Sequence, residues 1–149
     1  MNEEYMRIAL KEAQKAYKQD EVPVGVVIVK NNEIISKAHN IKEKTNNPCG
    51  HAEILAIEKA TKKINDWRLE NCEMYVTLEP CMMCAGAIIQ ARIKKIYIGA
   101  FDDKNGAIVS KLKAFDDYTF NHKVEYETRI LEKECSEIVK EFFKNLRKR

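Results

Sequence analysis

Four residues in two short stretches of the sequence could together form a catalytic metal site. Cys81 and Cys84 lie three positions apart, so on a helix both thiols leave from the same face about one turn apart. This spacing suits tetrahedral zinc, and His51 can add a third ligand and leave the fourth position for water. Glu53, two residues beyond the histidine, can reach that water. Zinc lowers the pKa of its water and a carboxylate moves protons, so the set predicts hydrolytic chemistry.

The context of the two cysteines decides how specific this pattern is. A bare Cys-x-x-Cys also occurs in structural zinc sites and redox sites. Here a proline precedes the first cysteine and His-Ala-Glu stands about thirty residues upstream, which together form the signature of the zinc nucleobase deaminases. The alternative is a closed structural site whose fourth ligand is Cys49, Cys72 or Cys135. Glu53 would then have no evident role.

Length and composition indicate one globular domain over residues 1–149. The first twenty residues carry charges throughout, and no apolar run approaches the length of a membrane span. We therefore expect a cytoplasmic protein. Five cysteines, an odd number with two already in a metal pattern, fit a reducing compartment and argue against a disulfide framework.

The basic end of the chain has two interpretations. Residues 144–149 contain four cations. Such a run is often only a solvated helix end. It could also form a phosphate-binding edge for nucleic acid.

The apolar pattern of the first half predicts a helix, a hairpin and a second helix. Residues 3–19 have a helical apolar period, and residues 22–30 and 33–38 form a hairpin around an Asn-Asn turn. The first strand is apolar on successive residues, which predicts a central position covered on both faces. Residues 41–49 are expected to be a loop. Residues 51–63 are helical again, with His51 and Glu53 in the first turn.

The second half predicts a parallel pair of strands around the cysteine motif. Residues 73–78 and 93–100 are expected to be strands, and a helix from Cys81 to about residue 92 connects them. The metal would then lie where two helix N-termini meet at the strand ends. A short helix over residues 106–115, a strand over 123–126 and a C-terminal helix over 131–146 complete the prediction.

Beyond the shared metal motif, the sequence as a whole resembles the bacterial tRNA-specific adenosine deaminases nearly from end to end. The matching stretches include Glu21-Val22-Pro23-Val24-Gly25, His39-Asn40, residues 76–92, Asn121-His122 and Phe142-Phe143. Deaminases of free guanine or cytosine share the zinc motif, but the late Asn-His and Phe-Phe pairs are closer to the tRNA enzymes. The resemblance implies an α/β protein of the three-layer α/β/α cytidine-deaminase type, with a mixed five-stranded sheet and helices on both faces.

The resemblance also implies a role for each matching residue. His51, Cys81 and Cys84 would bind one Zn²⁺ per subunit, and Glu53 would be the catalytic proton shuttle. The substrate-binding residues would be those that read the base, contact the ribose or lie beside the RNA: Asn40, Ala52, Asp102, Lys104 and Phe143.

For several of these residues an ordinary structural role is the alternative. Asn40 could be a turn residue, Asp102 and Lys104 could belong to a solvated loop, and Phe143 could serve the core. The run Ala107-Ile108-Val109-Ser110 departs from the smaller, glycine-containing run of the family, and so leaves the shape of the nearby loop open.

Together these observations predict a hydrolase that converts adenosine to inosine at the wobble position of a tRNA anticodon. The expected substrate is an arginine tRNA, and the resemblance implies a homodimer. The first alternative is a free guanine or cytosine deaminase on the same fold. The second is a zinc-stabilised RNA-binding or assembly subunit with a vestigial site, against which the intact Glu53 counts.

Overall fold

The structure is a computed structural model that describes residues 2–117 and 119–148. Arg149, the last cation of the basic tail, lies outside the described residues. The helices are α1 (Asn2–Lys18), α2 (Lys42–Thr45), α3 (Ala52–Ile64), α4 (Met82–Gln90) and α5 (Glu132–Arg147). The strands are β1 (Gly25–Lys30), β2 (Glu33–His39), β3 (Cys72–Leu78), β4 (Lys95–Ala100) and β5 (Glu125–Glu127). None of the helices in this part of the chain is both long and apolar enough to cross a membrane.

The five strands form one mixed sheet in the order β2-β1-β3-β4-β5. β1 pairs antiparallel with β2 and with β3, whereas β3, β4 and β5 run parallel to one another. Every residue of β1 from Gly25 to Val29 is buried, which explains why its sequence is apolar on both faces. The predicted hairpin, the central first strand and the parallel pair are confirmed.

Helices cover both faces of the sheet and divide the core in two. Alternate residues of β1 point to opposite faces: Val26 and Ile28 belong to one apolar cluster, and Val27 and Val29 to the other. The first cluster contains buried apolar residues of α3 and α4, such as Ala56 and Ile88, and the second contains buried apolar residues of α1, such as Met6, and Cys135 of α5. The structure thus has the predicted three-layer α/β/α fold.

The carboxyl ends of β3 and β4 define the edge of the sheet at which the candidate site lies. Leu78, the last residue of β3, pairs with Ala100, the last residue of β4. Helix α4 begins directly after β3, with Cys81 as its N-cap residue, and His51 is the N-cap residue of α3. The N-termini of two helices therefore meet at this edge, as the sequence predicts.

Two segments differ from the sequence prediction. Residues 106–115 form turns and contain no helix, because the N–H groups of Ile108, Val109 and Ser110 donate to the carboxylate of Glu79. The predicted helix in this segment is therefore wrong. The predicted loop over residues 41–49 contains the short helix α2, whose first N–H groups donate to the carboxylate of Glu21. In both segments a carboxylate distant in sequence satisfies the backbone.

Candidate active site

The starts of α3 and α4 bring the three predicted metal ligands together. His51 and Cys81 each precede the first helical residue in an extended backbone conformation, and Cys84 lies in the first turn of α4. In the described part of the chain these three side chains form the group that could hold a metal ion, with their ligand atoms all within 4.8 Å of one another. No other cysteine belongs to this group: Cys49 is exposed, Cys72 begins β3, and Cys135 lies in α5.

The distances within this cluster fit zinc. His51 Nδ1 lies 3.7 Å from the Cys81 sulfur and 3.6 Å from the Cys84 sulfur. Ordinary zinc–sulfur and zinc–nitrogen bonds at tetrahedral angles separate sulfur from nitrogen by about 3.6 Å. The cluster therefore has the spacing of three zinc ligands, with His51 presenting Nδ1.

Hydrogen bonds within the cluster shift the pKa values of its members. A hydrogen bond from the Cys84 thiol, aided by His51, lowers the pKa of Cys81 to about 4. The same bond, together with burial, raises the pKa of Cys84 well above its usual range. The hydrogen bond to Cys81 also raises the pKa of His51. Of the two sulfurs, the cluster thus favours the thiolate at Cys81, and metal binding requires the loss of the thiol proton of Cys84.

Glu53 lies beside these ligands in the first turn of α3. Its side chain is only 4 % exposed, and burial is the main cause that raises its pKa to about 7. The negative charge of Cys81 acts in the same direction. A carboxyl group with a pKa near neutrality can both accept and return a proton, which is what general acid–base catalysis needs.

Asn40 and Ala52 are joined to each other at the start of α3. The Asn40 Oδ1 accepts a hydrogen bond from the Ala52 N–H at 2.8 Å, and its Nδ2 donates to the Val22 carbonyl at 3.1 Å. Asn40 therefore connects the strand β2 to the helix that carries His51 and Glu53. This link spans twelve residues, and the sequence pattern did not reveal it.

Asp102 and Lys104 lie in the loop after β4. The Asp102 Oδ1 accepts hydrogen bonds from the N–H groups of Lys104 and Asn105, both at 3.1 Å. This arrangement is an Asx turn, and it leaves Lys104 exposed. Phe143 lies on α5, where it is 38 % exposed and packs edge-on against the buried Phe142.

Glu79 directly follows the predicted strand over residues 73–78, and the sequence alone assigns it no role in the site. It is 3 % exposed and accepts hydrogen bonds from the loop that contains Asp102. Although burial raises the pKa of its carboxyl group, hydrogen bonds from Ser110, Val109 and Asp102 outweigh burial and keep it below its usual value. The signal available in the sequence was a glutamate placed between an apolar strand and the metal motif.

A mixed sheet covered by helices, with a His/Cys/Cys cluster and a buried glutamate at its edge, defines the class of the zinc-type deaminases. The family model described as "MafB19-like deaminase" matches residues 1–147. The tRNA-specific adenosine deaminase of Aquifex aeolicus is 50 % identical over 148 residues, which cover 99 % of this chain and 97 % of that protein. The Bacillus subtilis protein of the same name is 45 % identical, with coverage of 99 % and 92 %.

Solved structures agree with these sequence matches. A protein from structural studies of A-to-I editing by tRNA:A34 deaminases has a TM-score of 0.88 and 40 % identity, over 91 % of this chain and 98 % of that one. The guanine deaminase of Nitrosomonas europaea has a TM-score of 0.77 at 20 % identity, over 94 % of this chain and 83 % of that one; it shares the fold. The chain belongs to the family of the tRNA-specific adenosine deaminases.

Proposed function

We propose that this chain is a hydrolase that converts adenosine to inosine at the wobble position of a tRNA anticodon. The observation that carries the proposal is the His51, Cys81 and Cys84 cluster with the buried Glu53 beside it. Relatives that match almost the whole chain bear the name tRNA-specific adenosine deaminase. An arginine tRNA is the substrate that we expect.

The metal of this site is proposed to be one Zn²⁺ per subunit, held by His51 Nδ1 and by the sulfurs of Cys81 and Cys84. Two thiolates and an imidazole are ligands that zinc favours, and three protein ligands leave room for water. When bound, zinc lowers the pKa of that water toward neutrality. The 3.6 and 3.7 Å separations of nitrogen and sulfur support this assignment.

Glu53 is proposed to be the catalytic residue that moves the protons. Its carboxylate accepts a proton from the water that attacks C6 of adenine, and returns protons to the ring and to the amino group that leaves as ammonia. Adenosine and water thereby yield inosine and ammonia. Burial of Glu53 supports this role because it raises the pKa of the carboxyl group to about 7. A group with a pKa near neutrality can both accept and donate a proton.

Asn40 and Ala52 are proposed to read the base. One N–H of the Asn40 amide donates to Val22, and the amide carries a second N–H that we assign to the base edge. The Ala52 N–H is already bonded to Asn40, so we assign the contact at Ala52 to other main-chain atoms. These residues lie beside His51, so their contacts would orient the base over the metal.

Asp102, Lys104 and Phe143 are proposed to contact the RNA around the base. The second carboxylate oxygen of Asp102 would accept from a ribose hydroxyl, since Oδ1 is used within the loop. The exposed Lys104 and Phe143 would meet phosphate and a splayed base respectively, as in other single-stranded RNA readers. The exposed cations of the tail would extend this surface: Lys144, Arg147 and Lys148.

We further propose that residues 1–149 act as a single cytoplasmic domain that assembles as a homodimer. Met82 is 69 % and Met83 36 % exposed at the start of α4. Two exposed methionines beside a candidate active site are apolar surface that a second copy would cover.

The substrate is tested by parallel assays of RNA, the free nucleoside and free bases. An anticodon stem-loop with adenine at the wobble position is compared with free adenosine, guanine and cytosine at equal enzyme concentration. We expect inosine in the stem-loop alone, with an affinity that weakens steeply as salt is raised, because phosphate contacts release counterions. Turnover of guanine or cytosine without turnover of the RNA would show that the substrate assignment is wrong.

A further inference from the structure

Glu79 is a buried carboxylate that collects hydrogen bonds from a loop near the metal cluster. Its Oε2 accepts the N–H groups of Ile108, Val109 and Ser110 at 3.1, 2.8 and 3.0 Å. Its Oε1 accepts the N–H of Asp102 at 3.1 Å and the hydroxyl of Ser110. One side chain therefore satisfies both ends of the segment 102–110, which we call the 102–110 loop.

The loop is shaped to admit this carboxylate. Gly106 is buried, and a Cβ atom built there would lie 2.3 Å from the Glu79 carboxyl carbon. The next residue, Ala107, donates its N–H to the Pro80 carbonyl at 2.9 Å. Apart from this bond, the hydrogen bonds described between the 102–110 loop and the sheet-and-helix body all end on Glu79.

The position of Glu79 joins this loop to the metal cluster. Glu79 follows the last residue of β3 and stands two residues before the candidate ligand Cys81. The loop leaves from the paired end of β4, so it lies at the same edge of the sheet as the cluster. Its exposed part, residues 103–105, carries Lys104 into solvent at that edge.

We propose that Glu79 is a positioning residue that holds the 102–110 loop against the metal-binding turn and so fixes where Asp102 and Lys104 meet an RNA substrate. This inference rests on the proposed function. Glu79 does not itself touch the substrate. It acts through the backbone of the loop, whose N–H groups it holds in one arrangement.

Apolar packing of the same loop allows this role to be separated from folding. Ile108 is fully buried and Ala107 is 1 % exposed in the core. The carboxylate takes no part in these contacts, so we expect a Glu79 variant to keep its fold. What is lost is the order of the polar residues at the two ends of the loop.

The test replaces Glu79 by glutamine in the zinc-loaded protein. In glutamine an NH₂ group, which is a donor, replaces one of the two carboxylate oxygens. Whichever oxygen it replaces, it then faces backbone N–H donors that have lost their acceptor. Loss of charge-assisted hydrogen bonds of this kind changes an equilibrium by about tenfold or more. We expect the half-saturating stem-loop concentration to rise about tenfold, and the saturating single-turnover rate to change by less than about threefold.

Hydrogen exchange provides a readout that does not depend on activity. In Glu79→Gln the amides of Ile108, Val109 and Ser110 should exchange faster, at unchanged zinc content. Asp103→Asn is the matched control, because it removes one negative charge from the exposed part of the same loop and leaves the Glu79 bonds in place. It should leave exchange of these amides unchanged and should not weaken RNA binding.

Gly106→Ala provides a second variant if Glu79→Gln does not fold, because its methyl group displaces the carboxylate from the loop side. It should weaken RNA binding in the same way, and the double variant should be no weaker than the stronger single variant. Wild-type RNA affinity in both single variants, even with lowered thermal stability, would overturn the inference. A wild-type protein without stem-loop activity would instead overturn the proposed function, while amide exchange would still decide whether Glu79 holds the loop.

Discussion

Replacement of Asn40 by alanine should destabilise the protein, because the Asn40 amide holds the start of the helix that carries His51 and Glu53. The variant removes the acceptor of the Ala52 N–H and the donor to the Val22 carbonyl. Ala52 is fully buried and its bond to Asn40 is part-buried, so water replaces the lost acceptor only in part. An Asn40 side chain that only contacted the base would give a variant of wild-type stability.

The expected loss follows from these two bonds. A buried N–H without a partner costs about 1–3 kcal/mol, and loss of an ordinary hydrogen bond costs about 0.5–1.5 kcal/mol. The sum is about 3 kcal/mol, which lowers the melting temperature of a domain of this size by about 6–12 °C. The stability of Asn40→Asp should fall between those of the wild type and Asn40→Ala. Aspartate keeps the acceptor for the Ala52 N–H but turns an oxygen toward the Val22 carbonyl.

Urea denaturation of the zinc-loaded variants measures this free energy, with zinc content determined on each sample. Asn47→Ala is the matched control. Its side chain accepts only the N–H of the exposed Cys49, two residues away, so its loss should stay below about 1 kcal/mol. Equal stabilities of Asn40→Ala and Asn47→Ala would refute the structural role of Asn40.

Three further predictions follow from the site and the fold. Zinc at a hundred times its dissociation constant should raise the free energy of unfolding by about 2.7 kcal/mol. Scanning calorimetry should therefore show a higher melting temperature with zinc for the wild type and no such rise for Cys81→Ala. In the metal-free protein the pKa of Cys81 is lowered to about 4, so it is a thiolate above that pH. Iodoacetamide should label it at pH 6 at a rate that hardly rises by pH 8; a tenfold rise per pH unit would contradict this. Gly25→Ala should destabilise the protein by about 3 kcal/mol or more in urea, since a Cβ there would lie 1.9 Å from the Ala9 carbonyl oxygen.

The parts of the fold that the sequence predicts correctly are those set by local pattern. Successive apolar residues in β1 indicate burial on both faces, and the structure places helices on both. The three-residue spacing of Cys81 and Cys84 depends only on helix geometry. Proline before Cys81 and the helical pattern after His51 likewise mark helix starts from nearby residues, within one or two positions of the observed bounds.

What the sequence could not show are bonds between a side chain and a distant backbone. The segment 106–115 has the apolar content of a helix. However, the carboxylate of Glu79, almost thirty residues earlier, accepts hydrogen bonds from its N–H groups. Asn40 is bonded in the same way to Ala52. No local period reports such contacts, because each depends on strands that meet only in the folded sheet.

The same limit applies to the candidate site. Residue types and spacing predicted the His51, Cys81 and Cys84 cluster, and the structure brings all three together. Spacing alone could not show that Glu53 is buried, or that Glu79 ties the loop of Asp102 to the same edge. Both depend on how α3, α4 and the 102–110 loop pack around the strand ends.

The most direct test of the central claim is single-turnover deamination of an anticodon stem-loop with adenine at the wobble position, by the wild-type protein and by Glu53→Ala. Loss of a general acid–base group costs about 10²–10⁴ in rate. We therefore expect inosine from the wild type, a rate lower by that factor in the variant, and one zinc per subunit in both. Equal rates in the two proteins would contradict the role of Glu53. Absence of inosine with the zinc-loaded wild type would contradict the proposed reaction.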